Sequence, residues 1–241
     1  TMKKTLLTIC LVWMCFSLSA QKIIDLSGKW SFSIDRQDNG EKEKWFSHTL
    51  NDFINLPGSM PEKLKGDEVT AKTQWTGSLY DSSYYYNPYM EKYRKEGNIK
   101  FPFFLTPDKH YVGAAWYQKE VNIPADWKGE RILLFLERPH IETTVWVNGQ
   151  KTGMQNSLCV PHQYDITRYV RPGKCTITIR VDNRIKEINV GPDSHSITDQ
   201  TQGNWNGIVG RICLQTTPKT YFDDIQIYPE PEQKLARVKV V

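Results

Sequence analysis

The sequence predicts an all-β protein, a two-sheet β-sandwich. Three observations lead to this fold class: short strand-like segments recur along the chain, turn residues separate them, and no segment has the pattern of an amphipathic helix. The chain has no internal repeat and no low-complexity tract. About 220 residues follow the first twenty, which is enough for one large domain with a hydrophobic core.

The first predicted strand covers residues 26–34 and carries large apolar side chains on one face at a spacing of two. These side chains are Leu26, Trp30, Phe32 and Ile34. A charged segment follows and contains Trp45 and Phe46. We expect both rings to fold back onto the domain.

Further strands are predicted in the second half of the chain. They cover residues 116–123, 131–137, 143–147, 150–154, 175–181 and 208–214. Asn148-Gly149 is expected to join two of them as a hairpin, because Asn-Gly is the strongest short hairpin signal. Polar and apolar residues alternate in residues 175–181, which predicts one solvated face and one buried face.

Residues 199–212 are polar and rich in glycine, and they lead directly into the last of these strands. One interpretation is an ordinary connection, in which Gly203 and Gly207 allow turns and Trp205 caps the edge of the core. The other is a sugar-facing loop, because carbohydrate sites combine an aromatic face with carboxylate and amide groups. Composition alone leaves both interpretations open.

The same stretch resembles the end of the N-terminal sugar-binding domain of glycoside hydrolase family 2, to which bacterial β-galactosidases and β-glucuronidases belong. Asp199-Gln200, then Asn206-Gly207-Ile208 and a downstream Arg211, carry this resemblance. Further segments match the family in the expected order, namely residues 111–124, 145–150, 164–167 and 179–183. Together they cover residues 22–217, so the resemblance applies to a whole domain.

The resemblance implies a jelly roll, similar to galactose-binding domains, and a non-catalytic role in a retaining exo-β-glycosidase. Such a domain completes the pocket for a terminal β-linked sugar and supports a catalytic barrel. The implied substrate is a β-galactoside first, then a β-glucuronide or β-mannoside. We expect a sandwich over residues 21–217, followed in residues 218–241 by a linker and the first strands of a truncated immunoglobulin-like domain. The implied partners are carbohydrate and the protein's own downstream immunoglobulin-like and barrel domains.

Asp199 is the first candidate for sugar binding, because the resemblance implies that its carboxylate projects into the sugar subsite. The alternative is an aspartate that caps a turn by bonding to nearby backbone amides. Trp205 and Asn206 are weaker candidates, and the family often has its tryptophan one position earlier. His195 lies in the preceding loop and is expected either to be solvated or to touch ligand. The remaining histidines, such as His110 and His140, are interpreted as structural or exposed.

Asp81 is the fifth candidate for sugar binding and lies in a tyrosine-rich segment, residues 62–110. The segment contains six tyrosines and shows no sustained period. A stretch of this length without regular structure is uncommon in a compact domain and is usually functional or an elaborated loop. We expect a flap that packs on the sandwich; alternatively, Asp81 or the Tyr84–Tyr86 cluster lies at a sugar subsite or against a neighbouring domain.

No pair of carboxyl groups in the sequence has the pattern of a catalytic site. A retaining glycosidase needs two of them about 5 Å apart. Glu137 and Glu142 flank a turn, and Asp223 and Asp224 are adjacent, so their side chains point in opposite directions in a strand. The sequence therefore predicts no catalytic residue in this chain and leaves open whether the chain is itself an enzyme.

No metal and no cofactor are expected either. Cys159, Cys175 and Cys213 lack the spacing of zinc ligands, and the sequence contains no phosphate loop or dinucleotide fingerprint. The net charge of the chain is +4, or +2 without the two lysines of the first twenty residues. This balance is too weak to suggest a nucleic-acid partner.

Residues 1–20 have the pattern of a secretory signal peptide. Two lysines precede an apolar run from Leu6 to Leu18, and small residues follow up to Ala20. The apolar run is too short for a membrane span. We therefore expect cleavage near Ala20, a periplasmic or secreted protein, and no membrane partner.

Two other functions stay open from the sequence. The chain could be a free-standing carbohydrate-binding module with no associated hydrolase, which predicts sugar affinity for the domain alone. A purely structural scaffold predicts no sugar affinity and an apolar patch where the barrel docks.

Overall fold

The computed structural model describes residues 21–77, 82–186 and 193–241. Within these ranges the strands are β1 (Ile23–Asp25), β2 (Gly28–Asp35), β3 (Asp52–Leu56), β4 (Gly58–Ser59), β5 (Asp67–Glu68), β6 (Lys109–His110), β7 (Ala114–Ile123), β8 (Arg131–Pro139), β9 (Glu142–Val147), β10 (Gln150–Asn156), β11 (His162–Asp165), β12 (Gly173–Asp182), β13 (Gly207–Thr217), β14 (Ile225–Glu230) and β15 (Leu235–Val240). The described α-helix, α1, is Ser83–Tyr86, and 3-10 turns occupy Trp45–Ser47, Pro88–Tyr93, Ala125–Trp127, Thr167–Tyr169 and Pro231–Gln233.

The strands form two large antiparallel sheets. The strand order is β1-β13-β8-β11 in the first sheet, where β4 also pairs with β13, and β10-β9-β12-β7-β2-β3 in the second. The longest continuous register joins β7 and β12, from Gly173 opposite Ile123 to Asp182 opposite Ala114. Many neighbouring strands come from distant parts of the chain, as in a jelly roll. The predicted all-β sandwich is confirmed.

One hydrophobic core lies between the two sheets. Strand β2 contributes Trp30 and Phe32, and strand β8 contributes Leu134 and Leu136, because every second residue of a strand faces the same side. Each of these four residues is at most 1% exposed. Burying side chains of this size contributes about 1.5–3 kcal/mol each to folding, so the alternation in the sequence also specifies which face of each strand lies inside.

Part of the outer face of the second sheet is covered as well, which corrects one expectation. The alternation in residues 175–181 predicts a solvated Arg180, but this residue is 7% exposed. Trp45 and Phe46 fold back onto this face as expected, and Phe46 stacks on Trp146 with ring centroids 5.2 Å apart. Periodicity within β12 could not reveal this cover, because the covering residues lie more than a hundred positions earlier in the chain.

The hairpin between β9 and β10 turns at Asn148 and Gly149, which have φ values of 50° and 77°. Two successive residues with positive φ are what a two-residue hairpin turn requires, and Asn and Gly tolerate them best. The predicted hairpin is therefore confirmed. Oδ1 of Asn148 also accepts a hydrogen bond from the backbone N–H of Thr176 at 3.0 Å, which ties the turn to β12.

The tyrosine-rich segment forms an aromatic cluster of its own, and its described residues form only short elements. Its strands β5 and β6 pair with each other, with Asp67 opposite His110. Tyr84 is buried and stacks on Phe101 at a centroid distance of 4.7 Å. Other rings face outward, and Phe104 is 94% exposed.

The last two strands, β14 and β15, form a separate two-stranded sheet. Tyr221 lies in the connection that precedes β14. The guanidinium of Arg131, in β8, lies over its ring at 3.9 Å from the ring centroid, which links this connection to the sandwich. The assignment of residues 218–241 to an immunoglobulin-like domain stays a prediction. Among the described helices, none combines the length and the apolar character needed to cross a membrane.

Candidate functional site

A cluster of polar side chains lies where β12 ends and β13 begins, next to β6. At its centre is Asp199, which is 2% exposed. Oδ2 of Asp199 accepts a hydrogen bond from the backbone N–H of Thr76 at 2.7 Å and lies 3.2 Å from Nε2 of His110. Oδ1 accepts from the backbone N–H of Asn204 at 2.6 Å. The loop before β13 and the tyrosine-rich segment therefore meet at one carboxylate.

Thr76 joins the tyrosine-rich segment to the loop before β13 through three further hydrogen bonds. Its carbonyl oxygen accepts from the backbone N–H of Asp199 at 3.1 Å and from the hydroxyl of Thr198 at 3.2 Å. Its own hydroxyl oxygen accepts from Nδ2 of Asn204 at 2.9 Å. Each such bond contributes about 0.5–1.5 kcal/mol, so together they hold the carboxylate and its donors in one arrangement.

Asn204 and Asn183 continue the cluster into the sandwich. Oδ1 of Asn204 accepts from Nδ2 of Asn183, and Nδ2 of Asn204 donates to the carbonyl oxygen of Asn183, both at 3.0 Å. Nδ2 of Asn183 also donates to the carbonyl oxygen of Tyr111 at 2.8 Å. Buried polar groups cost free energy unless they are paired. This network therefore explains why a polar loop can lie inside the domain.

The side chain of Asn206 also pairs with buried polar groups inside the domain. Its Nδ2 donates to the carbonyl oxygens of Gly113 at 2.9 Å and Val181 at 3.0 Å, and its Oδ1 accepts from the hydroxyl of Tyr117 at 2.8 Å. The residue is 0% exposed. This geometry gives the Asn206 side chain a structural role, and the sugar contact expected of it stays a prediction.

Trp205 is half-buried and stacks on His140, with ring centroids 4.6 Å apart and planes 18° apart. His140 is itself buried, and its Nε2 has no hydrogen-bond partner among the described residues. Burial lowers the pKa of His140 to about 4, although a hydrogen bond with Asn204 and the charge of Asp199 act in the opposite direction. The indole therefore rests on an imidazole that is neutral at pH 7, close to the polar cluster.

His195 and Asp81 are the remaining two candidates for sugar binding. His195 is exposed, and its carbonyl oxygen accepts from the hydroxyl of Thr201 at 2.7 Å. Asp81 lies outside the described residues. Sugar contacts by His195 and Asp81 stay predictions, as do those by Asp199 and Trp205.

Sequence reasoning missed three residues of this cluster, namely Thr76, His110 and Asn204. Thr76 acts largely through its backbone N–H and carbonyl, which almost any residue offers, so its side chain carries little signal. His110 lies in the tyrosine-rich segment, which has no periodic pattern of apolar residues, and was therefore assigned no specific partner. Asn204 had a usable signal, because it lies within the amide-rich stretch that contains Asp199.

Glu137 and Glu142, the carboxylates that flank the turn between β8 and β9, have structural partners. Oε1 of Glu142 accepts from Lys186 at 2.8 Å and lies 3.4 Å from a guanidinium nitrogen of Arg180, while Glu137 accepts from the backbone N–H of Arg211 at 2.8 Å. The described ranges contain no group of three or more His, Cys, Asp or Glu residues that could hold a metal ion.

A β-sandwich that gathers a carboxylate, amides and an indole at one end has the character of a carbohydrate-recognising domain. The chain belongs to glycosyl hydrolases family 2: the sugar binding domain of that family matches residues 23–218. The family assignment made from the motifs of the sequence is confirmed.

Curated relatives are similar over most of the chain. The β-glucuronidase of Homo sapiens is 25% identical over 237 residues, which cover 87% of this chain and 31% of the relative. The β-glucuronidase of Paenibacillus borealis is 27% identical over 222 residues, which cover 86% of this chain and 31% of the relative. The chain thus spans about a third of the length of these relatives.

Solved structures of β-glucuronidases have the same fold. One from an uncultured Clostridium species superposes with a TM-score of 0.63 at 20% identity and covers 92% of this chain and 34% of that chain. The Ruminococcus gnavus enzyme in complex with uronic isofagomine superposes with a TM-score of 0.62 at 18% identity, covering 92% of this chain and 33% of that chain.

Proposed function

We propose that this chain is the non-catalytic sugar-binding domain of a retaining exo-β-glycosidase that acts on β-glucuronides. The relatives in sequence are named β-glucuronidases, which supports a glucuronide over the β-galactoside ranked first from the sequence. The domain completes the pocket for the terminal sugar and supports a catalytic barrel of the same protein. Two carboxyl groups of that barrel cleave the glycosidic bond.

The Asp199 carboxylate is the observation that carries the proposal. Three donors orient it, and among the described residues Oδ1 has a single donor, the backbone N–H of Asn204, which leaves one acceptor position for a sugar hydroxyl. The half-buried indole of Trp205 near this cluster offers an apolar face of the kind that packs on a pyranose ring. Because Asp199 is 2% exposed, the proposal requires the side chains that cover it to move aside when sugar binds, while the three donors keep the carboxylate oriented.

The test is hydrolysis of nitrophenyl glycosides by the complete protein encoded by the native reading frame. We expect kcat/KM for p-nitrophenyl β-D-glucuronide to exceed that for the β-galactoside and the β-mannoside. Asp199→Ala should lower kcat/KM by roughly 10- to 100-fold, since a hydrogen bond to a charged group contributes about 1.5–3 kcal/mol. Asp223→Ala, at an exposed position in another part of the chain, is the matched control and should change nothing.

Two results would contradict the proposal. A preference for the β-galactoside would contradict the substrate class. An Asp199→Ala variant with the kcat/KM of the unmodified protein would contradict the sugar contact.

A free-standing carbohydrate-binding module is the second candidate, and exposed rings in the tyrosine-rich segment favour it. Tyr86, Tyr89 and Phe104 are 72%, 86% and 94% exposed, and exposed aromatic faces can stack on sugars. This function predicts glycan binding by residues 21–241 alone and no hydrolase activity in the native protein. Calorimetric titration with glucuronic acid and with oligosaccharides separates the two functions.

We also propose export from the cytoplasm. The pattern of residues 1–20 supports it, namely two lysines, an apolar run and a small-residue end at Ala20. N-terminal sequencing of the protein from its native cells should give a first residue near Gln21. A protein from these cells that retains residues 3–20 would contradict export by cleavage.

A further inference from the structure

We infer that His110 is a positioning residue, which together with the backbone of Thr76 fixes the orientation of the Asp199 carboxylate. The tyrosine-rich segment thereby sets the geometry of the sugar contact, although its own rings need not touch the sugar. This inference rests on the proposed function of Asp199.

The two oxygens of Asp199 have different surroundings. Both donors to Oδ2, the backbone N–H of Thr76 and Nε2 of His110, belong to the tyrosine-rich segment, whereas Asn204 donates to Oδ1. A carboxylate has about four acceptor positions. With Oδ2 doubly occupied, the remaining acceptor position among the described partners is on Oδ1. The donors thus decide which oxygen is available to a ligand.

A carboxylate without these anchors would rotate about its terminal side-chain torsion, which is a soft one. One donor alone fixes a single oxygen and leaves the plane of the group free. The two donors on Oδ2 and the opposing donor on Oδ1 together allow the Asp199 carboxylate a single orientation. Preorganised polar groups are worth more in a closed site than groups that must reorient when the ligand arrives.

The position of His110 is itself fixed by packing. The residue is 6% exposed and lies on β6, which pairs with β5. The ring of Trp75 packs edge-on against its imidazole at a centroid distance of 4.6 Å. Trp75 also packs edge-on against Phe101 at 4.8 Å and Phe103 at 4.9 Å. Since Thr76 directly follows Trp75, one aromatic cluster holds both donors to Oδ2.

The experiment compares His110 variants in the complete native protein with p-nitrophenyl β-D-glucuronide as substrate. His110→Phe keeps a ring but removes the donor, and we expect kcat/KM to fall at least about tenfold. His110→Gln keeps an N–H donor with similar reach and should stay within about threefold of the unmodified protein. Should His110→Phe fail to fold, His110→Asn, whose amide is too short to reach Asp199, takes its place. His48→Phe, at an exposed histidine, is the control.

Rescue by glutamine separates positioning from mere packing, because phenylalanine fills the space better than glutamine does. His110→Phe or His110→Asn with unchanged kcat/KM would overturn the inference. So would a glutamine variant as impaired as the phenylalanine variant.

A double-mutant cycle with Asp199→Asn completes the test. If His110 acts through Asp199, the double variant should be no worse than Asp199→Asn alone. Losses that multiply would overturn the inference. An Asp199→Asn variant with full activity would refute the sugar contact itself, whereas a damaging Asp199→Asn with a harmless His110→Phe refutes only the role of His110.

Discussion

The hydroxyl of Tyr117 donates a hydrogen bond to Oδ1 of Asn206 at 2.8 Å inside the sandwich. Tyr117 lies on β7, and Asn206 directly precedes β13, so the bond joins residues from opposite sheets. Burial raises the pKa of Tyr117 well above its ordinary value, with a smaller contribution from Tyr111. The hydroxyl therefore stays protonated and remains a donor at any physiological pH.

Asn206→Ala should destabilise the protein by about 3 kcal/mol or more. The change leaves the Tyr117 hydroxyl and the carbonyl oxygens of Gly113 and Val181 without this partner in the interior, and each unpaired buried group costs about 1–3 kcal/mol. Urea denaturation measures the difference. Asn51→Ala, at an exposed asparagine, is the control and should shift the midpoint little. Equal effects of the two substitutions would contradict the structural role of Asn206.

Acid should weaken the fold through His140 between pH 6.5 and pH 4. Burial lowers the pKa of His140 from 6.5 to about 4, so the unfolded chain takes up a proton before the folded protein does. Stability from this group is complete above pH 6.5 and is lost as the pH falls, by roughly 3 kcal/mol. Unfolding midpoints at pH 7.5 and pH 4.5 measure the loss.

His140→Gln should flatten this dependence only in part, because burial also lowers the pKa of His162. His195→Gln, at an exposed position, is the control and should leave the pH dependence as it is. A His140→Gln variant with the unmodified pH profile would contradict the role assigned to this imidazole.

A second loss of stability is expected at lower pH, through Asp182. Burial alone would raise the pKa of this carboxyl, but hydrogen bonds from Arg184 and Lys186 and the charge of Arg180 hold it well below its ordinary value. Stability from Asp182 is therefore present above about pH 4 and is lost as the pH falls below that value. Denaturation midpoints between pH 5 and pH 2.5 should fall in the unmodified protein.

Asp182→Asn should reduce this acid-dependent fall and should lower stability at pH 7, because Asp182 is fully buried among three cations. Asp52→Asn breaks an exposed pair with Lys65 and serves as the matched control with a smaller effect. Similar losses for both variants at pH 7 would show that burial does not strengthen the Asp182 network.

Gly40→Ala should destabilise the cover on the outer face of the second sheet. An added Cβ would lie 2.6 Å from Nε1 of Trp116 and 2.7 Å from Oδ2 of Asp35, which accepts from that Nε1 at 2.9 Å. Overpacking of this kind costs about 1–3 kcal/mol. Gly153→Ala, where the nearest atom outside its chain neighbours is 3.6 Å away on Tyr164, should be tolerated and serves as the control. Thermal melts of both variants decide the point.

The strands of the sandwich could be predicted because their signals are local. Trp30 and Phe32 alternate with polar residues on β2. Asn148-Gly149 marks the hairpin between β9 and β10 without reference to any distant residue. The covered face of β12 could not be predicted in this way. Arg180 looks solvated within its own strand, but Asp38 and Glu142 pair with it, and Trp45 and Phe46 pack on Trp116 and Trp146 of the same sheet.

The candidate site was predictable only in part for the same reason. Asp199 could be found from its motif, but its donor Thr76 lies 123 positions away and acts through the backbone. The hydrogen bonds of Asn206 to backbone carbonyls could not be predicted, because an amide that can bind a sugar hydroxyl can equally well bind a carbonyl oxygen. The identity of such a residue does not reveal which partner it has.

The tyrosine-rich segment enters after β4 and leaves before β7, and its own strands β5 and β6 pair with each other. A lineage could therefore lengthen, shorten or replace most of this segment without shifting the register of either large sheet. Such changes would have to keep the contacts that tie the segment to the sandwich, among them the donors at Thr76 and His110 to Asp199 and the ion pair of Arg36 with Asp67. Diversification around the Asp199 cluster can then proceed by exchange of one insertion on an unchanged sandwich.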